Sequence, residues 1–300
     1  MCKSIEDRII GGMFGAAVGE AEAITRAGEP QKSWSRSTGL CLCMADGFLC
    51  GKTDREIIRN FADFADGLKF VPPQNKFYIG EDVEAVIEAY RQGGRIKKCC
   101  TVSESNGYGS VVRMIPVAVY LGDIDFLGCE LGHREMKIIH DAVMLTHNNP
   151  ISIVSCAVYV TVGRLLLGGF SSEESIYEAL RIVSRYYSGS PFYREAFLEL
   201  RDLYNMDIFR LLPEIVIYNW ENSLRVIEAA IWCLINSGSY EECLRRAKHL
   251  GGASDSICSA AGGLAGLRYG IDGIPQEWRS RLREQSEIKE ISEKMAERFK

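Results

Sequence analysis

Apolar positions recur at helical spacing along almost the whole chain. Ile9, Ile10, Met13, Phe14, Ala17 and Val18 fall at i, i+1, i+4, i+5, i+8 and i+9, one stripe of a helix. Thr38–Cys50 repeats the pattern with Leu40, Cys43, Met44, Gly47 and Phe48. Thr53 or Asp54 then stands where a cap should open a helix running to Leu68. Glu81–Arg91 reads as a helix stopped by Gly93-Gly94. Ser110–Leu121 and His133–Leu145 each carry one apolar face. Pro150–Gly168 is apolar on nearly every side, which predicts a helix at the centre of the fold. Ser171 or Ser172 caps a helix to Tyr187 that shows Ile176, Ala179, Leu180 and Val183 on one side. Phe192–Tyr204, Ser223–Ile235, Tyr240–His249, Ser256–Leu267 and Glu284–Phe299 complete the set.

Alternating strand patterns are nearly absent. Val71–Tyr78 and Ile96–Val102 read as extended segments or loops without a sheet partner. No Pro/Ser-rich linker, composition shift or repeat divides the chain, so residues 1–300 are expected to form a single all-α domain, a compact multi-helix bundle. Gly11, Gly12, Gly15 and Gly19 lie inside the first helical stripe. Glycine lowers helix propensity, so their presence predicts that a neighbouring backbone packs closely there.

Composition adds bounds rather than a function. The chain is 47% hydrophobic and 25% charged, as in ordinary globular proteins. A formal net charge of -5 argues against nucleic acid or an acidic membrane as a partner. No apolar run reaches the roughly 18 residues that a membrane span requires, and Glu6 and Asp7 precede a glycine-broken stretch unlike a secretory leader. The eleven cysteines are odd in number, lack a zinc-ribbon C-x-x-C pair and mostly sit in apolar runs. They read as small buried apolar residues in a reducing cytoplasm, the expected location.

Four short constellations could carry chemistry. Ser254-Asp255-Ser256 begins a helix of small residues; it reads as an N-cap or as a carboxylate with two hydroxyls at the mouth of a site. Trp34-Ser35-Arg36-Ser37-Thr38 precedes another apolar helix and reads as a cap or as a holder for phosphate or sugar. Asn106-Gly107-Tyr108-Gly109-Ser110 is a glycine-rich turn into a helix that contains Arg113. Such a turn is a tight loop or an anion site, and no P-loop lysine follows. Thr146-His147-Asn148-Asn149-Pro150 joins two helices; its His is structural or ligand-facing, and its Asn amides suit a sugar or a base edge. No nucleophile elbow, HExxH motif or EF-hand loop is present.

Together, and in this order, the constellations resemble the ADP-ribosylglycohydrolase family. Asp7–Glu20, DRIIGGMFGAAVGE, resembles the family opening D-R-x-x-G-x-x-x-G-x-A-x-G-D. Trp34–Leu40 falls at the family's W-T-D-D-T, and Gly107–Pro116 resembles G-N-G-[SA]-x-M-R-x-x-P. Thr146–Pro150 resembles T-H-x-x-P, and Gly251–Trp278 resembles the closing G-G-D-T-D-T-I with a downstream G-x-P-x-x-W. The resemblance implies an all-α orthogonal bundle with two magnesium or manganese ions beneath a cleft for ADP-ribose. The ions would be held by two Asp from the early motif and two from the late one.

The motif carboxylates differ here in a patterned way. The early pair becomes Arg36 and Ser37, and the late pair becomes Ala253 and Asp255. Ser35, Thr38 and Ser256 keep the flanking hydroxyls, Gly19-Glu20 stands for G-D, and Tyr108 replaces the loop Asn. The glutamate expected seven residues after that pair falls near Ala27, with Glu29 close by. Against the resemblance, Arg36 is expected to pair with Asp255 within about 4 Å, with no metal between them. The chain is then expected to bind ADP-ribose or a related ribosyl or nucleotide ligand without metal-dependent hydrolysis. Its binding residues would be Ser35, Arg36, Ser37, Gly107, Tyr108, Gly109, Ser110, His147, Asn148 and Ser256. One alternative is a metal-poor glycosidase using Asp255, Glu20 or Glu29 as acid or base. Another is a non-catalytic interaction protein. No cofactor is expected, and magnesium or manganese only if Asp255 keeps a metal. An ADP-ribosylated protein is the conceivable macromolecular partner.

Overall fold

The computed structural model describes residues 3–26, 28–51, 54–72, 78–93, 107–122, 131–217, 222–252 and 254–299. In chain order its helices are α1 (Ile5–Ile24), α2 (Arg36–Leu49), α3 (Asp54–Ala65), α4 (Glu81–Arg91), a 3-10 helix (Tyr108–Arg113), α5 (Ile115–Tyr120), α6 (His133–Met144), α7 (Pro150–Leu167), α8 (Ser172–Tyr187) and α9 (Pro191–Leu198). A second 3-10 turn (Arg201–Tyr204) leads to α10 (Met206–Leu211), α11 (Glu214–Ile217), α12 (Ser223–Ile235), α13 (Tyr240–Leu250) and α14 (Ser254–Tyr269). A third 3-10 turn (Ile271–Gly273), α15 (Gln276–Arg281), α16 (Gln285–Ala296) and a 3-10 turn (Glu297–Phe299) finish the chain. The architecture is all-α. Among the described residues the sole β-type contact is an isolated bridge between Lys32 and Leu282.

The pair α1 and α14 forms the axis of the fold, and small residues explain why. A Cβ on Gly15 would lie 2.2 Å from the Gly262 carbonyl oxygen, and one on Gly19 would lie 2.1 Å from that of Cys258. One on Gly266 would lie 1.9 Å from the Gly11 oxygen. The order of these contacts makes the helices antiparallel, with backbones touching where side chains would ordinarily intervene. Two hydroxyls tie this pair to its surroundings: Tyr240 donates to the Gly15 carbonyl (2.7 Å) and Tyr159 to that of Ala260 (2.9 Å). The end of α1 therefore lies beside the start of α14.

Charged groups close the helix ends. Ser4 and Asp7 form a capping box at α1, and Ser171 with Glu174 forms one at α8. Arg8 is buried, and its Nη1 donates to the carbonyls of Leu166 (3.3 Å), Leu267 (3.1 Å) and Arg268 (2.9 Å). One guanidinium thus serves the last carbonyls of both α7 and α14, where the helix dipole favours a cation. The loop before α2 is pinned to the C-terminal region: the Trp34 indole donates to the Arg283 carbonyl at 2.9 Å, and the Arg283 amide to that of Lys32 at 2.9 Å.

Helix α7 corrects one expectation. Pro150–Leu167 is 18 residues long and apolar enough to cross a membrane by length and composition, against the reading that no run reaches that length. Its window is 89% buried, so its hydrophobicity is answered by other helices packed around it. Two predicted helices are broken. Ser110–Leu121 divides into the 3-10 turn and α5, because Pro116 has no N–H to continue the ladder. Phe192–Tyr204 divides into α9 and a 3-10 turn. Helices α10, α11 and α15 have four to six residues, too few to show a period. Thr53 and Ile96–Val102 lie outside the described residues.

Cys41, Cys43, Cys156, Cys233, Cys243 and Cys258 are buried and Cys50 is exposed, all as free thiols. Burial pushes the Cys156 thiol up to about 11, with the other buried thiols also raised, which suits packing rather than nucleophilic attack. Cys2, Cys99, Cys100 and Cys129 lie outside the described residues.

Candidate functional site

The geometry begins with Glu20, fully buried near the end of α1. Its Oε1 accepts from the Ser37 amide (2.8 Å) and the Ser35 hydroxyl (2.9 Å). Its Oε2 accepts from the amides of Ser35 (3.1 Å) and Thr38 (2.9 Å) and from the Thr38 hydroxyl (2.6 Å). Helix α2 has no side-chain bond from its own N-cap residue, so a carboxylate from α1 does that work. Glu20 was expected as an acid or base. With five donors around about four lone-pair sites it is a clamp on the start of α2, with no capacity left for a ligand.

The clamp sets Arg36, the first residue of α2. Its Nη2 lies 3.8 Å from Asp255 Oδ2 at the start of α14, within the separation expected from the sequence. At that length the contact is an ion pair rather than a hydrogen bond. The guanidinium carbon also sits 5.6 Å from the Tyr108 ring centroid, in cation–π range. A Cβ on Gly80 would meet Arg36 Nη1 at 3.8 Å, so the entry to α4 borders the same guanidinium. Asp255 Oδ1 accepts from the Ser256 amide (2.8 Å) and hydroxyl (3.3 Å). Four segments distant in sequence therefore meet at Arg36: the starts of α2, α4, α14 and the first 3-10 turn.

The remaining expected residues are distributed as follows. Ser37 is fully buried, and its Oγ has no hydrogen-bond partner among the described residues. Ser256 is buried. Gly107 and Tyr108 are half-buried at the glycine turn. Ser110 is buried, and its Oγ accepts from Cys156 Sγ at 3.5 Å, so it faces the core. Asn148 is half-buried, while Asn149 caps α7 by accepting from the Ile151 amide at 2.8 Å. Glu29 is exposed in a turn after α1, and no hydrogen bond or ion pair joins its side chain to the Arg36–Asp255 pair. Ala27, Ala253 and Asn106 lie outside the described residues. No three His, Cys, Asp or Glu side chains among the described residues are grouped as a metal site would require.

A second set of contacts runs behind the glycine turn. Arg113 is fully buried; it donates to the Gly109 carbonyl (2.8 Å) and to Thr146 Oγ1 (2.6 Å), and lies over Phe61. Thr146 Oγ1 is also 2.6 Å from His147 Nδ1. Gly109 packs on the His147 ring, where a Cβ would stand 3.3 Å from Cε1. His147 Nε2 lies 3.2 Å from Asp82 Oδ2, on the first turn of α4. Burial holds the His147 pKa below its ordinary value, Arg113 adds to that, and Asp82 opposes it. The imidazole is neutral near pH 7.

Asp82 is a neighbour of His147 that sequence reading did not anticipate. Glu81, Asp82 and Glu84 open α4 and read as acids favoured by its dipole. Nothing in the one-dimensional pattern links position 82 to position 147.

The family model described as ADP-ribosylglycohydrolase matches residues 1–300. The chain is 23% identical over 305 residues to an ADP-ribosylarginine hydrolase, Tri1, of Pseudomonas putida (strain GB-1), covering 98% of this chain and 71% of that protein. It is 24% identical over 308 residues to the ADP-ribosyl-[dinitrogen reductase] glycohydrolase of Rhodospirillum rubrum, covering 93% and 91%. A solved structure titled "ADP-ribosylglycohydrolase-related protein complex" superposes with a TM-score of 0.77 at 19% identity, over 98% of each chain, a likeness of fold.

Proposed function

The chain belongs to the ADP-ribosylglycohydrolase family, and on that premise we propose that it binds an ADP-ribosyl group, or a related ribosyl nucleotide, without the family's two-metal hydrolysis. The observation that carries this reading is Arg36, whose guanidinium lies 3.8 Å from Asp255 where the motifs resembled would place facing carboxylates.

The donor set argues the point. Two hard divalent cations need several carboxylate oxygens in near-octahedral array. Where α2 meets α14, Arg36 and Ser37 stand for one acidic pair, Ala253 and Asp255 for the other. The residues present do not fit two metals. A permanent positive charge at about 4 Å repels a divalent ion by roughly 8 kcal/mol at an effective dielectric near 20. Arg36 stacked on Tyr108 supplies instead a fixed cation at the cleft, suited to a ligand that carries phosphate.

Manganese titration tests this. The native protein is expected to show no saturable Mn2+ binding at the cleft. The combined variant Arg36→Asp, Ser37→Asp and Ala253→Asp is expected to bind Mn2+ about tenfold more tightly or better, a gain of roughly 1.4 kcal/mol or more. Tight Mn2+ binding by the native chain would sink the metal-loss reading, and an unresponsive combined variant would sink the motif correspondence.

A second reading has one observation in its favour. The Asp255 side chain is 31% exposed, so a ligand can reach it. A metal-poor glycosidase would use it as acid, base or nucleophile. Release of ADP-ribose from ADP-ribosylated arginine in EDTA would favour that reading.

A further inference from the structure

A cavity of about 360 Å3 lies between α8 on one side and the second 3-10 turn with the start of α10 on the other. None of its lining residues belongs to the Arg36–Asp255 site. We propose that it is a second ligand site, for a small aromatic carboxylate. Leu180 and Leu203 are buried and form its base, while Tyr177, Tyr204 and Met206 add apolar walls. Arg181 and Arg185, one turn apart on α8, supply positive charge, and among the described residues no Asp or Glu lines the cavity. Cross-contacts tie the two walls together. A hydrogen bond joins the Ser184 and Tyr204 side chains. Arg210 of α10 pairs with Glu173 at the start of α8. The Phe197 ring meets that of Tyr204 edge-on, with centroids 5.5 Å apart. A site held open in this way is largely preformed, as small-molecule pockets are.

Charge and surface together select the ligand. Tyr177 and Tyr204 are 67% and 50% exposed, so much apolar ring surface lies in water beside two cations. Arg181 Nε donates to Glu178 Oε2 at 2.8 Å. A guanidinium has five N–H donors, and an exposed pair of this kind contributes little, so Arg181 keeps capacity for a ligand. A cation would be repelled here. A neutral hydrocarbon would cover the rings and leave the positive charge unmatched. A sugar phosphate would match the charge and leave the apolar walls wet. An apolar body with one carboxylate does both, because the planar guanidinium bonds a carboxylate through two parallel N–H groups. Two tyrosine rings favour a flat aromatic body, which packs on them by offset stacking or edge contact. The volume is near the lower end of ligand pockets, about 300–1,000 Å3, which fits a small molecule rather than a partner's helix. The whole chain carries a net charge of -5, so this two-arginine wall is a local exception.

Calorimetric titration of the full chain tests this with two probes of one shape, 2-naphthoate and the neutral naphthalene-2-methanol. The native protein is expected to bind 2-naphthoate saturably at about 1 mM or tighter, and the neutral probe about tenfold more weakly. Arg181→Gln and Arg185→Gln are each expected to weaken 2-naphthoate by about 3- to 10-fold, the scale of a charge-assisted bond at an exposed side chain. Both should leave the neutral probe within about twofold. Both arginines are exposed, so the melting temperature should not change. Tyr204→Ala is expected to weaken both probes. Arg36→Gln, in the other cleft, is expected to leave 2-naphthoate within about twofold. Absence of saturable 2-naphthoate binding would overturn the inference, as would equal affinity for the two probes. Native affinity in the combined Arg181→Gln, Arg185→Gln variant would overturn it too, and a loss confined to Arg36→Gln would move the ligand to the Arg36–Asp255 cleft. None of these outcomes bears on whether that cleft binds ADP-ribose.

Discussion

Replacing Gly15 by alanine is expected to destabilise the protein by about 3 kcal/mol or more, the upper range for overpacking a core. The added methyl would sit 2.2 Å from the Gly262 carbonyl oxygen and 3.1 Å from the Tyr240 ring. The first neighbour is backbone of α14 and cannot rotate aside. Helices α1 and α14 would have to separate, weakening the Tyr240 bond to the Gly15 carbonyl and shifting the start of α14. The intrinsic helix preference of alanine, about 1 kcal/mol, offsets only part of this. For a chain of this size the melting temperature should fall by roughly 6–12 °C in a calorimetric scan. Gly189 supplies the contrast: a Cβ there meets nothing within 4 Å, so Gly189→Ala is expected to be neutral or slightly stabilising. Equal melting temperatures for the two variants would contradict the close-packed axis.

Replacing Glu20 by glutamine is expected to cost about 3–5 kcal/mol, the scale of leaving a buried charged network half-made. The amide nitrogen would turn a donor toward groups that already donate, among them the Ser37 and Thr38 amides. The start of α2 would lose both its cap and the negative charge that its dipole favours. Arg36 is the next residue after the cap, so its alignment with Asp255 should loosen too. The expected readouts are a melting temperature lowered by roughly 10 °C and weaker ADP-ribose binding in the folded fraction. A Glu20→Gln protein with native melting temperature would show that the five bonds carry little.

Most of the helical scaffold could be read from periodicity because its signals are local. The stripe Ile9–Val18 and the buried run Pro150–Leu167 declare themselves within one helix. Glycines at 11, 15 and 19 announced a close neighbour but not which one, since the partner lies some 240 to 255 residues away at Cys258–Gly266. The Arg36–Asp255 contact was legible only through the order of several motifs together, as neither residue has a local signature. Glu20 stands in the sequence as an acid or base candidate of the alternative glycosidase, and only its five donors show that it holds α2. Asp82 was invisible, because an acid on the first turn of a helix has an adequate local explanation in the dipole. The break at Pro116 was readable in principle, and the apolar pattern of Ser110–Leu121 outweighed it.

The central claim is that a fixed guanidinium has taken the place of metal charge in a ribosyl-binding cleft. Its most direct test is calorimetric titration of the native protein with ADP-ribose, once in excess EDTA and once in excess magnesium. The account predicts saturable binding with the same affinity under both conditions. Binding that appears only with magnesium would contradict it.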